Sequence, residues 1–406
     1  MGAETNVQRV GMAQDAVRRS NLSVVLTHLH HSGPATRAEL TSLTGLTRST
    51  VGGLVAELRG AGLVTETASP SRGTPGRPSP RVDPAPDGAT VLAVLIAVDS
   101  ISVGVFSLGG AFRSLVREER PRGAISPGDT VETLERLARV QLADLPERSL
   151  KGIGVGVVGV VRREDGFVHR APNLGWRDVP LAALIEERLK LARPVVVGNE
   201  ADLGALAEHV RGAGVGSRNL LYLSGEVGVG GGIIANGSPL GGAHGYAGEV
   251  GHMTVNVNGR RCGCGAVGCW ETEIGELALF ERSGCESIDE LLKAAGVDDP
   301  STLEALGIMA RWLGIGLAGL KNIFDAETIV LGGHFSQLFP FLTSGIEREI
   351  ADRAIASDWA PAEICPAQLG ADSPLVGAAE LALSPFLEDP TSSILALTGS
   401  RDGDHP

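Results

Sequence analysis

The chain has 406 residues, 43% of them hydrophobic, and a formal net charge of −13. That length supports two or three domains with cores of their own, and no apolar run reaches the length a membrane span needs. The opening MGAETNVQRVGM lacks a basic-then-apolar leader and has Asn6 where a myristoylation signal needs Ser or Thr, so the sequence predicts a cytoplasmic protein.

Acidity argues against nucleic acid for the chain as a whole, but the charge is unevenly spread. Residues 1–82 hold nine Arg against five Asp or Glu, a net of +4, which leaves −17 for the remainder. A basic unit on an acidic body is the asymmetry of a DNA-binding head. Within residues 15–31, Val17, Leu22, Val25, Leu26 and Leu29 recur at helical spacing, and Gly33-Pro34 ends the run. Thr36 and Glu39 form a capping box for a short second helix that closes at Gly45. Thr47 caps a third helix whose core face is Val51, Leu54, Val55 and Leu58. A strand over 63–67 and a second at 80–82 supply a wing. The pattern is a winged helix-turn-helix, and its third helix is the one that enters the major groove. Arg48, Ser49 and Thr50 at the start of that helix, with Arg37 on the second helix, are the predicted DNA contacts.

Residues 68–88 are rich in Pro, Gly and Ser and read as wing tip or linker. Arg72 and Arg77 stand there on extended backbone suited to an A·T-rich minor groove. Three strands follow, over 91–98, 102–106 and 111–116, then a helix at about 128–145 and a strand over 153–160. A helix at 180–190 and a strand at 194–197 complete this half. The scheme restarts at 220–223 and 228–234, and continues through helices near 272–282, 286–295 and 302–324 and a strand at 328–331. This is a duplicated α/β unit with a cleft between two lobes. The expected division is a head over 1–67, a wing or linker over 68–88, a first lobe over 89–198 completed by a helix at 374–388, a second lobe over 199–373, and a flexible tail over 389–406.

Three of the five cysteines, Cys262, Cys264 and Cys269, lie in one glycine-rich loop, with His252 ten residues before the first. Three thiols and an imidazole suit tetrahedral zinc, and four protein ligands leave no position for water, so the site reads as structural.

The motifs APNLGW at 171–176, NEADLGALAE at 199–208, the glycine run at 228–232, GYAGEVGH at 245–252, CGCGAVGCWE at 262–271 and IVLGG at 329–333 together resemble the ROK family of repressors, open reading frames and sugar kinases, in its subgroup with an N-terminal winged helix. The resemblance implies an actin-like, hexokinase-like body (a duplicated ribonuclease H-like fold). It implies zinc on His252, Cys262, Cys264 and Cys269, and sugar hydroxyls bound by Asn173, Asn199, Glu200, Glu249, His252 and Glu271.

The sequence departs from the family's kinases on the nucleotide side. Asp99 is followed by Ser100-Ile101-Ser102, without the Gly and Thr of the first phosphate loop, and Glu226-Val227 stand where the second has Gly-Thr. Phosphate is bound by bare backbone N–H groups and hydroxyls, and a carboxylate there repels it. The kinases' catalytic Asp is Glu200 here, and a displacement of about 1 Å costs on the order of a hundredfold in rate. The expectation is therefore a sugar-responsive repressor, acting as a dimer or dimer of dimers on operator DNA and independent of membranes. The alternative is a sugar kinase with an accessory DNA-binding head.

Overall fold

The structure, a computed structural model, describes the backbone of residues 2–68 and 79–391 and the side chains within that range from residue 14 on. The head runs α1 (Gly2–Ser32), β1 (Ala35–Thr36), α2 (Arg37–Thr44), α3 (Arg48–Gly60), β2 (Val64–Thr67) and β3 (Arg81–Pro84). α1 begins well before residue 15, because residues 2–14 hold no proline to stop a helix already nucleated by its packed turns. Leu22, Val25, Leu26 and Leu29 are fully buried as expected, whereas Val17 is 61% exposed, beyond the end of the packed face. Gly33, at φ 82°, ends the helix. The Thr36–Glu39 capping box is formed in both directions, and Gly45 closes α2 in the left-handed conformation. Thr47 accepts from the Thr50 N–H at the start of α3, and Val51, Leu54, Val55 and Leu58 face the core. Each such cap stabilises its helix by about 1 kcal/mol. β3 lies between β1 and β2, so the wing has one strand more than expected.

The body continues with β4 (Thr90–Ile96), β5 (Ser100–Ser107), β6 (Phe112–Glu119), α4 (Pro127–Leu142) and β7 (Leu150–Val157). β8 (Val160–Arg162), β9 (Phe167–Ala171) and β10 (Trp176–Val179) then make a small antiparallel sheet, followed by α5 (Leu181–Leu189) and β11 (Val195–Asn199). α6 (Glu200–Arg211) leads to β12 (Leu220–Gly225), β13 (Val229–Ala235) and β14 (Ser238–Pro239). After the cysteine loop come α7 (Glu271–Ile274), α8 (Glu276–Ser283), α9 (Ile288–Ala295), α10 (Pro300–Phe324), β15 (Thr328–Gly333), α11 (His334–Arg353), β16 (Glu363–Pro366) and α12 (Ser373–Glu388).

The sheet orders are β11-β7-β4-β5-β6 and β14-β13-β12-β15-β16. Each is the same design. A central strand pairs antiparallel with its hairpin partner (β4 with β5, β12 with β13) and parallel with the strand on its other side (β7, β15), which in turn takes a parallel edge strand. The duplication read from the sequence is therefore present in the hydrogen-bond pattern. Every residue of β4 is buried, as expected of a central strand covered on both faces. The β4–β5 and β12–β13 turns are equivalent in the two repeats.

α10 is long and apolar enough to cross a membrane by length and composition, which the sequence reading did not anticipate. Leu306, Met309, Leu313 and Leu317 are almost fully buried in the core of the second sheet, so it packs as a core helix. α12 lies with β4 and β7, and Leu375, Ala379 and Leu383 share one hydrophobic cluster with α1 of the head.

Candidate ligand cleft and metal centre

The cysteine loop is built on close backbone approach. At Gly268, φ is 76°, and a Cβ would sit 1.7 Å from the Asn256 carbonyl oxygen, so only glycine fits. Beside it, Trp270 is fully buried and donates from Nε1 to the Trp312 carbonyl at 2.8 Å, which anchors the end of the loop to α10. One ligand atom each from His252, Cys262, Cys264 and Cys269 lies within 4.8 Å of the others. His252 Nδ1 is 3.6 Å from Cys262 Sγ, and Cys264 Sγ is 3.6 Å from Cys269 Sγ. Sulfurs and an imidazole at these separations surround a volume that one tetrahedral ion fills. The cluster can hold a metal.

Glu271 connects this cluster to the cleft. Oε1 accepts from the Cys262 thiol at 2.9 Å and lies 3.7 Å from His252 Nδ1. Oε2 faces the other way: a side chain at Gly228 would meet it at 3.2 Å and Asn173 Nδ2 at 3.9 Å. Asn173 from one lobe and Glu271 from the other thus converge on the β12–β13 turn. Asn173 is exposed on a short 3-10 turn held by buried Leu174 and by Trp176, whose Nε1 donates to the Ile125 carbonyl at 2.7 Å. Glu249 is solvent-accessible, yet desolvation by the cleft walls raises its pKa. The charge of His252 opposes that rise, while those of Asp202 and Glu271 add to it.

Asn199 and Glu200 stand differently. Asn199 caps α6, its Oδ1 accepting from the Ala201 and Asp202 N–H groups and its Nδ2 donating to the Gly159 carbonyl at 2.8 Å. One amide hydrogen is left over for a ligand. Glu200 follows as the first residue of α6. Burial, then the charges of Glu226 and Asp99, push its carboxyl up to about 8. Glu226 is raised as well, by burial first and Asp99 next. Three carboxyl groups, from the two equivalent hairpin turns and the α6 N-terminus, therefore crowd one side of the cleft. Arg122 partly balances them, 3.4 Å from Asp99 and 3.0 Å from Glu276, and so ties the lobes together.

Sequence reasoning missed Arg122, Glu276 and the Arg163–Asp202 pair, whose atoms are 2.7 Å apart. Asp202 lies inside the NEAD motif and was readable there. The arginines sit in loops without a motif, and only the tertiary structure reveals their partners. Arg170 also donates to the Gly263 carbonyl at 3.1 Å, which joins the small sheet to the cysteine loop.

In the head, Arg48, Ser49 and Thr50 are exposed at the N-terminus of α3. Arg37 is not free: its guanidinium makes a two-pronged pair with Glu66 at 2.6 and 2.8 Å, and Arg59 reaches the same carboxylate at 3.0 Å. It braces α2 against the wing. Arg72, Arg77 and residues 392–406 of the expected tail lie outside the described residues.

A duplicated α/β body with a polar cleft, carrying a winged helix, defines the class: an actin-like, hexokinase-like ligand-binding core joined to a DNA-binding head. Residues 91–384 match the ROK family, and residues 23–73 match the MarR family. The chain belongs to the ROK family. It is 30% identical over 381 residues to the xylose repressor of Bacillus spizizenii, covering 92% of this chain and 98% of that one. A ROK family transcriptional regulator described as a homolog of the E. coli MLC protein superposes with a TM-score of 0.78 at 24% identity, over 94% of this chain and 100% of the regulator, a likeness of fold. A ROK glucokinase from Streptomyces griseus, in complex with glucose and AMPPNP, superposes with a TM-score of 0.64 at 30% identity, over 73% of this chain and all of the enzyme.

Proposed function

We propose that this protein is a sugar-responsive transcriptional repressor that reads operator DNA through its winged helix and releases it when a sugar occupies the cleft. The observation that carries this reading is one chain holding both an exposed α3 N-terminus and a cleft lined by Asn173, Glu249 and Glu271. Sugar hydroxyls both donate and accept, and carboxylates accept from them strongly. Asn199, Glu200 and His252 complete the proposed sugar set. The resemblance to the xylose repressor supports a small aldose as effector.

The bound metal is proposed to be zinc, on His252, Cys262, Cys264 and Cys269. It would act as a structural clip that fixes Glu271 and His252 in the cleft wall. A homodimer places two heads on a pseudo-palindromic site. Regulation follows if the sugar prefers the conformation in which the heads do not fit the operator.

Gel shift on a duplex of the gene's own upstream region, with D-xylose and D-glucose added in turn, tests the proposal. Retardation reversed by one of the sugars supports it; absence of any retardation at low salt refutes it. Arg48→Ala should weaken binding and lower the salt slope by about one unit if it contacts phosphate. The second reading, a sugar kinase, is favoured by the glucokinase superposition. Against it stands Glu226 in the β12–β13 turn, a bulky carboxyl side chain where the kinases' second phosphate loop has Gly and bare backbone N–H groups. A coupled ADP-release assay with the same sugars decides: turnover lost in Glu200→Ala would establish the kinase.

A further inference from the structure

The head meets the body through a polar cluster that the cleft chemistry does not use. His30, in the last turn of α1, is fully buried, and Glu380 of α12 is 4% exposed. His30 Nδ1 accepts from the Gly109 N–H at 3.0 Å, so the ring proton sits on Nε2, which faces the Glu380 carboxylate at 3.0 and 3.3 Å. Arg211, the last residue of α6, donates from Nε to Glu380 Oε1 and from Nη2 to the His30 backbone carbonyl at 3.1 Å. Arg211 Nη2 also lies 2.7 Å from His30 Nε2, a contact between two donors that both point at the Glu380 carboxylate. His31 Nε2 lies 3.6 Å from the same carboxylate.

The other end of α6 is in the cleft. Asn199 caps the helix and Glu200 and Asp202 occupy its first turn. Its twelve residues span about 18 Å, from the proposed sugar site to the head. α6 and α12 are locked to one another. A Cβ at Gly377 would sit 1.9 Å from the Leu203 carbonyl oxygen, so their backbones touch. Glu208 of α6 accepts from the Gln368 and Leu369 N–H groups and from Ser373 Oγ at 2.7 Å. Glu380 lies one turn beyond Gly377 on the same helix. A shift at the α6 N-terminus is therefore carried by a rigid helix pair to its far end rather than absorbed between the helices.

We infer that α6 and α12 form the strut that couples the cleft to the head, and that His30, Arg211 and Glu380 are the latch through which sugar occupancy repositions α1. The inference rests on the sugar-repressor reading and names the residues that transmit its signal. They are positioning residues and contact neither sugar nor DNA.

The test compares wild type with Arg211→Met and with the isosteric Glu380→Gln, using the upstream duplex and whichever of D-xylose and D-glucose releases it from wild type. The quantity read is the ratio of duplex Kd with and without sugar, with sugar Kd measured separately. Such couplings run from about 5- to 150-fold, and both variants should bring the ratio close to one while sugar and duplex affinities alone stay within about threefold of wild type. A wild-type ratio in both variants overturns the latch. Should a variant not fold, hydrogen exchange on the wild-type protein decides. Sugar must change protection in residues 22–32 and 200–211, and unchanged protection in 22–32 overturns the inference. If neither sugar alters duplex binding by wild type, the repressor reading fails, and the latch with it.

Discussion

The two sides of the cleft come from the same duplicated design but carry opposite chemistry. On one side stand Asn173, Glu249, His252 and Glu271, the proposed sugar partners, next to the cysteine cluster. On the other side the equivalent turns of the two repeats bring Asp99 and Glu226 together beside Glu200, and burial raises the pKa of the two glutamates. The first is the polar wall where we propose a neutral polyol binds. On the second, side chains at Glu226 and Val227 stand where a polyphosphate would need bare backbone N–H groups. We propose that the cleft keeps a sugar site while the Glu226 side chain obstructs a nucleotide's phosphates.

The largest effect should come from removing the support of the first wall. Cys264→Ser should lose its metal and destabilise the protein by about 3 kcal/mol or more, with sugar affinity falling in step. Metal analysis and thermal melts on the same sample check this, and wild-type protein purified without chelator yet free of metal would break the comparison at its base. Next comes the wall itself. Glu249→Ala should raise the sugar Kd by about 10- to 100-fold and Asn173→Ala by about fivefold, as expected for charged and neutral hydrogen bonds.

A smaller effect sharpens the opposite side. The Glu200 carboxyl, raised to about 8, stays protonated in the folded protein at pH values where the unfolded chain has lost that proton. Stability therefore falls as pH rises from the ordinary carboxylate range to about 8 and levels off beyond it. Glu200→Gln abolishes this slope, so its melting temperature should exceed that of wild type by an amount that grows from pH 5 to pH 8. A gain that does not vary with pH would remove Glu200 from the crowded cluster. The smallest change expected is from Glu226→Gly combined with Val227→Thr. This should give weak nucleotide binding where wild type has none, measurable by titration with AMPPNP and magnesium.

Much of this was legible in the sequence, for reasons that can be named. The Thr36–Glu39 box and the Val51-Leu54-Val55-Leu58 face are local signals, set by neighbours within a helical turn. The buried run of β4 announced a central strand. The small sheet of β8–β10 was hidden because its strands are three to five residues long. α11 went unnoticed with Pro340 in its interior, a residue that reads as a stop. α6 reads in the sequence as the NEADLGALAE motif rather than a helix, so the placing of its two ends needed the fold. Pairs such as Arg37–Glu66, Arg122–Glu276 and His30–Glu380 join residues 29, 154 and 350 positions apart, and no local pattern encodes them. In the cleft, the motifs mark Asn173, Glu249 and Glu271 in the sequence, whereas the crowding of Asp99, Glu200 and Glu226 needed the topology that makes their turns equivalent.

The most direct test of that contrast is calorimetric titration of one metal-replete sample with D-xylose or D-glucose and, separately, with AMPPNP and magnesium. Saturable heat is expected from a sugar and none from the nucleotide. Saturable nucleotide binding by the wild-type protein, with no response to either sugar, would contradict it.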